Sequence, residues 1–462
     1  MPDARTNGTS ARARHRLAWL DHLAFELFRS TGRSQLMQCL WLYDREIDES
    51  ALARTYDRLV ALAFNRLIEA SPLPLARPRW VRPAGPPEAI ETGAELLPRS
   101  HLLAWANRHA RRTIDPVAGP AWRVAAQRFD DGTSAVSIVG SHLLLDGIGA
   151  LRAIEAAATA VDIPNHYLPK GGRSPLAGVM SDMGQILTDA PRTLSALARM
   201  AGAGLCKRPA RARPGKGDSV ATEHAPEAPV ELAAVAASIA VSDWDACARR
   251  LGGHPNTLLP GVVATLAMRL GRRRASDGAV SLVVPVDRRR GLDDDRALAI
   301  AFRSLSVAPE PLAQNLRPLS APLKALLRGV KDNETDALAP LLPAIAWMPR
   351  TIATALVNRL FTYDEDRPVS CSNLGTLPDG LARIDGTPCQ RILARAVDVN
   401  VTRRDLARSQ GHLVIVASRY GQTVTLCIEA CQLAPSPTTT AELREATART
   451  LADFALDAVI EA

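Results

Sequence analysis

Aromatic residues make up only 4% of this 462-residue chain. A nucleic-acid binder more often interleaves aromatics with a concentrated basic face, so no nucleic-acid partner is expected. The net charge of +8 agrees, because its cations, nearly all arginine, are spread among acidic residues and read as a solvated surface. Also lacking is any run of about 18 apolar residues, which excludes a membrane-crossing helix. The longest near miss, residues 338–361, is broken by Pro340, Pro343, Pro349 and Arg350 and reads as an amphipathic surface element. Seven cysteines (Cys39, Cys206, Cys247, Cys371, Cys389, Cys427 and Cys431) show neither metal-ligand nor disulfide-framework spacing. Their odd number, with no secretory leader pattern, makes a reducing cytoplasm the expected compartment. The basic run from Lys207 to Lys216 reads as a solvated tether, with peripheral contact to an anionic membrane face as a secondary expectation.

What is present is the balance of a soluble globular protein, 47% hydrophobic and 23% charged. At about 150 residues per domain the length suggests two or three packed units. Residues 35–43 read as a strand. Over residues 48–70, Leu52, Tyr56, Leu59, Val60, Ala63 and Leu67 recur at helical spacing, and a short strand follows at 80–82. Segments 122–126 and 134–139 flank Asp130-Asp131-Gly132 as an antiparallel hairpin, and a helix begins at Gly147 or Ile148. Between Pro164 and Pro229 the composition turns to Pro, Gly and Arg, interrupted by a helical stretch at 180–203. Order then resumes with a strand at 234–241, helices at 243–251 and 258–270, and strands at 281–286 and 302–307. A second hairpin, 413–418 with 423–429, and a closing helix at 441–459 complete the chain. Mixed strands and helices in both halves predict a layered α/β protein. The expected division is an N-terminal subdomain over 1–164, a crossover linker over 165–229 and a C-terminal subdomain over 230–462.

The run with chemical content is Ser141-His142-Leu143-Leu144-Leu145-Asp146-Gly147, at the end of the first hairpin. A histidine where a strand stops can project its ring into a cleft. Asp146 sits on the turn, and Gly147 and Gly149 are expected to let the backbone change direction. The bland alternative is a core histidine closing a strand end. Asp146 is expected to pair with an arginine and so hold the imidazole in one orientation.

This run resembles the His-His-x-x-x-Asp-Gly signature of the CoA-dependent acyltransferase superfamily. That superfamily includes chloramphenicol acetyltransferase, peptide-synthetase condensation domains and the bacterial wax ester synthase/diacylglycerol acyltransferase family, to which this chain is most similar. His142 matches the second signature histidine, and Ser141 replaces the first. Three further segments follow in the wax ester synthase order. Asp115 to Arg123 resembles the entry into the hairpin, Val284-Pro285-Val286-Asp287-Arg288-Arg289 a strand with trailing arginine, and Val369 to Gly375 the Ser-Asn motif. Leu374-Gly375-Thr376 stands where that family has Pro-Gly.

The resemblance implies a two-domain chloramphenicol-acetyltransferase-like fold with mixed sheets and an active-site tunnel at the domain interface. His142 would be the general base, Asp146 and Gly147 its turn, Ser372 and Asn373 the oxyanion donors, and Arg288 or Arg289 the partner of Asp146. The implied reaction is acyl transfer from acyl-CoA, as co-substrate, to an alcohol or diacylglycerol. A carrier-protein thioester donor, and a catalytically silent lipid- or partner-binding relative, are the alternatives. No bound cofactor and no metal are expected. Asp293-Asp294-Asp295 and Asp364-Glu365-Asp366 read as solvated loop carboxylates, Cys371 as a small buried residue, and His101, His109, His166, His254 and His412 as surface or structural.

Overall fold

In the computed structural model, residues 15–462 are described except 86, 164, 203–226, 292–293, 309–310, 332–339, 349–351, 353–366 and 434–436. The basic run at 207–216, Asp293, Asp364-Glu365-Asp366 and most of 338–361 lie outside the described residues.

Fourteen strands form two large sheets and a two-stranded ribbon among the described residues. The first half supplies β1 (Ser34–Tyr43), β2 (Leu67–Glu69), β3 (Arg79–Val81), β4 (Glu91–Thr92), β5 (Trp122–Arg128) and β6 (Ser134–Ser141). The second half supplies β7 (Ala233–Ala240), β8 (Val280–Asp287), β9 (Ile300–Val307), β10 (Val369–Thr376), β11 (Arg391–Val399), β12 (His412–Tyr420), β13 (Thr423–Cys431) and β14 (Ala458–Glu461). The five-stranded sheet runs β11-β1-β6-β5-β4 and the seven-stranded sheet β14-β7-β13-β12-β10-β8-β9, while β2 pairs with β3. Both expected hairpins are present, β5 with β6 and β12 with β13, each antiparallel in continuous register.

The helices that matter here are α1 (Trp19–Thr31), α2 (Glu49–Ala61), α3 (Gly147–Ala158), α4 (Pro175–Gly202), α5 (Val241–Arg250), α6 (Pro255–Arg269), α7 (Leu342–Ala346) and α8 (Thr440–Asp453). Buried side chains of α2 and α3, such as Leu52, Leu59, Leu151 and Ile154, pack on Trp41, Val136 and Ile138 of the first sheet. Those of α5, α6 and α8, among them Trp244, Val263 and Leu443, cover the second sheet through Val235, Leu282 and Ile415. Burying these apolar stripes, at roughly 25 cal/mol per Å² removed from water, is the main force holding each layer together.

Several expectations change. The helix expected over 48–70 stops at Ala61, and Leu67 to Glu69 form β2 instead, antiparallel to β3. Tertiary pairing overrides the helical period there. The closing helix ends at Asp453, and Ala458–Glu461 returns as a strand on β7. The third change crosses the expected subdomain boundary. β11, from the C-terminal half, lies in the first sheet, paired antiparallel with β1 from Ser34↔Val399 to Leu42↔Arg391. The 165–229 segment also contains a packed element, since α4 is clamped to the first half through Asp182 with Arg16 (2.6 Å) and Arg79, and Asp189 with Arg77 (2.8 Å). Finally, the described part of 338–361 includes α7, whose Leu342, Ala344 and Ile345 are buried against Leu23, Ala196 and Met200. At α7 these residues are core and not part of a surface element, while Ile352 further along the stretch is exposed.

Candidate active site

The last paired residue of β6 is Ser141, opposite Leu36 of β1, and the next backbone N–H, that of His142, donates to the Gln35 carbonyl (3.0 Å). The chain then turns, with the Leu144 N–H donating to the Ser141 carbonyl (3.0 Å) and the Leu143 N–H to Ser141 Oγ (3.2 Å). Ser141 is buried and its hydroxyl serves the turn. A residue in the position of the first signature histidine thus acts on backbone here.

Asp146 closes the turn as the N-cap of α3. Its Oδ1 accepts from the Gly149 N–H (2.7 Å), and its Oδ2 accepts from Arg289 (2.7 Å) and from the Ala299 N–H (2.8 Å). Its own N–H donates to the Ala297 carbonyl (2.8 Å). A carboxylate with three donors and a buried guanidinium partner is a structural post, and it ties the β6–α3 turn to the β8–β9 connection of the second sheet. Of the two candidate arginines, Arg289 makes this ion pair, with both side chains almost fully buried. Arg289 also donates to the carbonyls of Asp294 (2.8 Å), Arg296 (3.0 Å) and Ala297 (3.1 Å). Arg288 donates its backbone N–H to the Ala299 carbonyl (2.6 Å).

The glycines of the motif have a different reason from the one expected. Neither Gly147 nor Gly149 has a positive φ. What they supply is room: a Cβ on Gly149 would stand 2.7 Å from the Arg289 guanidinium, and one on Gly147 would stand 3.2 Å from Leu374 Cδ2.

A cavity of about 210 Å³ lies between the sheets, lined by His142, Gly147, Ile148 and Leu151 on one side and Pro285, Phe302, Ser372 and Asn373 on the other. The second sheet is open at this point. β10 pairs with β8 only at Val369 and Ser370, in parallel. Two residues further the register would set Ser372 opposite Pro285, which has no N–H to donate. The ladder ends, and that edge of β10 faces the cavity, while its other edge stays on β12 at Ser372↔Val416. Cys371, one residue earlier, points into the core, and burial pushes its thiol up to about 12. The Asn373 amide oxygen accepts from the Gly375 N–H (2.9 Å). The cavity therefore brings His142 together with Ser372 and Asn373, segments 230 residues apart.

Burial lowers the His142 pKa from its ordinary 6.5, while the charges of Asp146 and Asp398 and a hydrogen bond to its own backbone carbonyl pull the other way. Desolvation is the largest of these influences, so the ring is neutral at pH 7.

A larger cleft of about 930 Å³ lies on the first half, lined by Tyr56, Asn65, Arg82, Trp122, Arg123 and Lys170 among others. The packed rings of Phe64 and Trp122 (centroids 5.2 Å apart) stand between it and the smaller cavity, which Phe64 also lines. Size favours this cleft, but among the described residues no histidine, serine or cysteine lines it, so the chemistry favours the smaller space.

Sequence reasoning missed the supports behind the turn. Arg66, buried and stacked on Trp80 (3.7 Å), donates to the Leu144 carbonyl, to the Asp295 carbonyl (2.7 Å) and to Tyr167 (2.9 Å). Asp21 of α1 accepts from the N–H groups of Ala297 (3.0 Å) and Leu298 (2.8 Å). Both were hidden by an ordinary setting, a lone charge within an apolar pattern. Of the expected solvated carboxylates, the described Asp294 and Asp295 are not simply solvated. Asp294 pairs with Arg296 (2.5 Å), and burial raises the Asp295 carboxyl to about 6. Among the other histidines, His109 is buried against Ser137 (2.8 Å), and His412 lies between Glu429 (3.3 Å) and Asp398 (3.5 Å).

No protein-family model and no curated protein sequence matches the chain. Solved structures do. The first condensation domain of the calcium-dependent antibiotic synthetase, in complex with a substrate analogue, superposes with a TM-score of 0.55 at 15% identity, covering 96% of this chain and 95% of that one. The starter condensation domain of rhizomide synthetase, in complex with C8-CoA, gives 0.52 at 12% identity, covering 96% and 94%. The chain therefore has the condensation-domain fold, the two-lobed chloramphenicol-acetyltransferase-like α/β architecture that its motifs imply.

Proposed function

We propose that this chain transfers an acyl group from a thioester to a hydroxyl acceptor, with His142 as general base. The reading rests on one observation above the others: a neutral imidazole lines an otherwise largely apolar cavity together with the open edge of β10. In the reaction, the neutral His142 ring takes the acceptor's proton as the acceptor oxygen attacks the thioester carbonyl carbon. The carbonyl oxygen gains the negative charge, and donors at Ser372 and Asn373 meet it. Collapse breaks the carbon–sulfur bond, and the departing thiolate recovers the proton from His142. No acyl-enzyme forms. Asp146 and Arg289 act at a distance by holding the turn, and Gly147 lets β10 approach.

The donor is acyl-CoA and the acceptor a fatty alcohol or diacylglycerol, giving a wax ester or triacylglycerol, as the sequence resemblance implies. With acyl-CoA as donor the proposed compartment is the cytoplasm, a reducing setting that suits the free cysteines among the described residues. At about 210 Å³ the cavity is smaller than the roughly 300–1,000 Å³ of most ligand pockets, so it seats the reacting groups and not a whole acyl-CoA. A second reading keeps the chemistry but takes the thioester from a carrier protein and an amine as acceptor. It is favoured by the likeness to condensation domains of peptide synthetases.

The test is release of free thiol by the purified protein from acyl-CoAs of several lengths, or from acyl-carrier protein, with fatty alcohol, diacylglycerol and amine acceptors. Release from acyl-CoA that requires an alcohol supports the first reading, and release only from the carrier thioester the second. No turnover of any donor points to a silent, lipid- or partner-binding relative.

A further inference from the structure

Three side chains that the acyl-transfer chemistry does not use come together where the two large sheets meet. Asp398 stands near the end of β11 in the first sheet, opposite Gln35 of β1. His412 opens β12 and Glu429 lies on β13, both in the second sheet. Glu429 pairs with Val414, two residues beyond His412, so the two side chains share one face of the hairpin. Nε2 of His412 lies 3.3 Å from Glu429 Oε1 and 3.5 Å from Asp398 Oδ2, and all three atoms fall within 4.8 Å of one another. That nitrogen is shut off from solvent and makes no hydrogen bond of good geometry, being aimed between the two carboxylates and not at either. The side chains of His412, Asp398 and Glu429 keep only 13%, 11% and 8% of their surface exposed.

Charge decides what belongs there. Two carboxylates buried this deeply carry a heavy desolvation cost unless donors or a cation offset it. The donors are few, the Gln35 amide on Asp398 Oδ2 (3.1 Å) and the Asp398 N–H on Glu429 Oε1 (3.0 Å). Among the described residues no lysine or arginine pairs with either carboxylate. The charges of Arg395 and Arg272 act on this cluster, but their hydrogen bonds go elsewhere. Arg395 donates to Gln38 (2.8 Å) and Asn107 (2.5 Å), and Arg272 to the carbonyls of Gln410 (3.0 Å) and Pro368 (3.0 Å). A proton on His412 would supply one positive charge and one N–H against two negative charges. A divalent cation supplies two charges and meets all three atoms at once. The spacing fits, because bonds of about 2.0–2.1 Å in tetrahedral array set neighbouring donor atoms about 3.3–3.4 Å apart. The distances of 3.3 and 3.5 Å from Nε2 lie beside that value. An imidazole among the donors favours zinc over calcium or magnesium, which take oxygen.

We propose that Asp398, His412 and Glu429 bind one zinc ion, which staples β11 of the first sheet to the β12–β13 hairpin of the second. The expectation that no metal binds came from spacing along the chain, and these ligands are brought together only by the meeting of two sheets. The site lies close behind the candidate active site, since Gln35 holds Asp398 with its amide and the backbone N–H of His142 with its carbonyl. Metal binding is read without turnover, so the proposal stands apart from acyl transfer.

The test uses the full chain, stripped with a chelator and dialysed against Zn²⁺, Mg²⁺ or Ca²⁺, with the bound metal counted by mass spectrometry. The expected result is one tightly held zinc per chain, no retention of magnesium or calcium, and a melting temperature raised by zinc by at least about 2 °C. Co²⁺ in place of zinc should give the visible absorption of a tetrahedral site with nitrogen and oxygen donors, a readout that needs no variant. His412→Gln and the isosteric Asp398→Asn should each weaken zinc binding at least about a hundredfold and abolish the rise in melting temperature. Absence of zinc binding by the wild type overturns the proposal and leaves His412 as a protonated link between two carboxylates. Zinc that both variants hold as tightly as the wild type also overturns it, because the metal then sits on other histidines or cysteines. Retention of magnesium or calcium in preference to zinc, or the weak absorption of octahedral cobalt, does the same.

Discussion

His142 and Asp146 are four residues apart on one turn and are placed in opposite ways. Asp146 is saturated, accepting from Arg289 and from the Gly149 and Ala299 N–H groups. The His142 backbone is anchored to Gln35, but its ring lines the cavity. The contrast shows how a reactive group can be kept available. Polar groups around it are filled, so the backbone under it cannot relax, and the ring itself is left for a substrate.

The contrast can be broken at its saturated end first. Asp146→Ala leaves Arg289 buried without its partner and the Gly149 and Ala299 N–H groups without an acceptor. Loss of one member of a buried pair costs about 3–5 kcal/mol. A fall of that size is expected in urea unfolding, and a fall under about 1 kcal/mol would show that the pair does not lock the turn to the second sheet. At the reactive end, Ser372→Ala should lower kcat about 10²–10³-fold in the thiol-release assay if its hydroxyl meets the oxyanion. A loss below about threefold would assign that role to the open backbone edge of β10. Gly147→Ala tests the contact between the two sides. The added Cβ crowds Leu374 and should cost about 1 kcal/mol, the low end of overpacking penalties, and Leu374→Ala in the same chain should recover most of it. The smallest effect belongs to Cys371→Ala. With its thiol buried and protonated, turnover should stay within about twofold of wild type.

The parts of the fold legible from sequence were those written in local pattern. Both hairpins announce themselves by turn residues between alternating strands, and the motif places His142 at the end of one of them. What was not legible depends on partners far along the chain. The segment 391–399 has no local mark showing that it will pair with β1 and not with its neighbours, and neither it nor the two-residue β4 was among the expected strands. The choice of Arg289 over Arg288 depends on where the β8–β9 connection passes Asp146. The role of the glycines likewise depends on Arg289 and Leu374 approaching from the other sheet. On α4 the helix itself was visible, but which of its faces is buried is set by Arg16, Arg77 and Arg79, none of them adjacent in sequence.

The most direct test of the central claim is the pH dependence of kcat/KM for thiol release by the wild type and by His142→Ala. A base acts in its neutral form, and the neutral fraction falls as pH drops through the ring's pKa. Burial holds that pKa below 6.5, so the wild-type rate should stay level from neutral pH and decline only below 6.5. His142→Ala should be slower by about 10²–10⁴-fold, lack this acid limb and melt at the same temperature. An alanine variant that keeps the wild-type rate and the same acid limb would contradict the account.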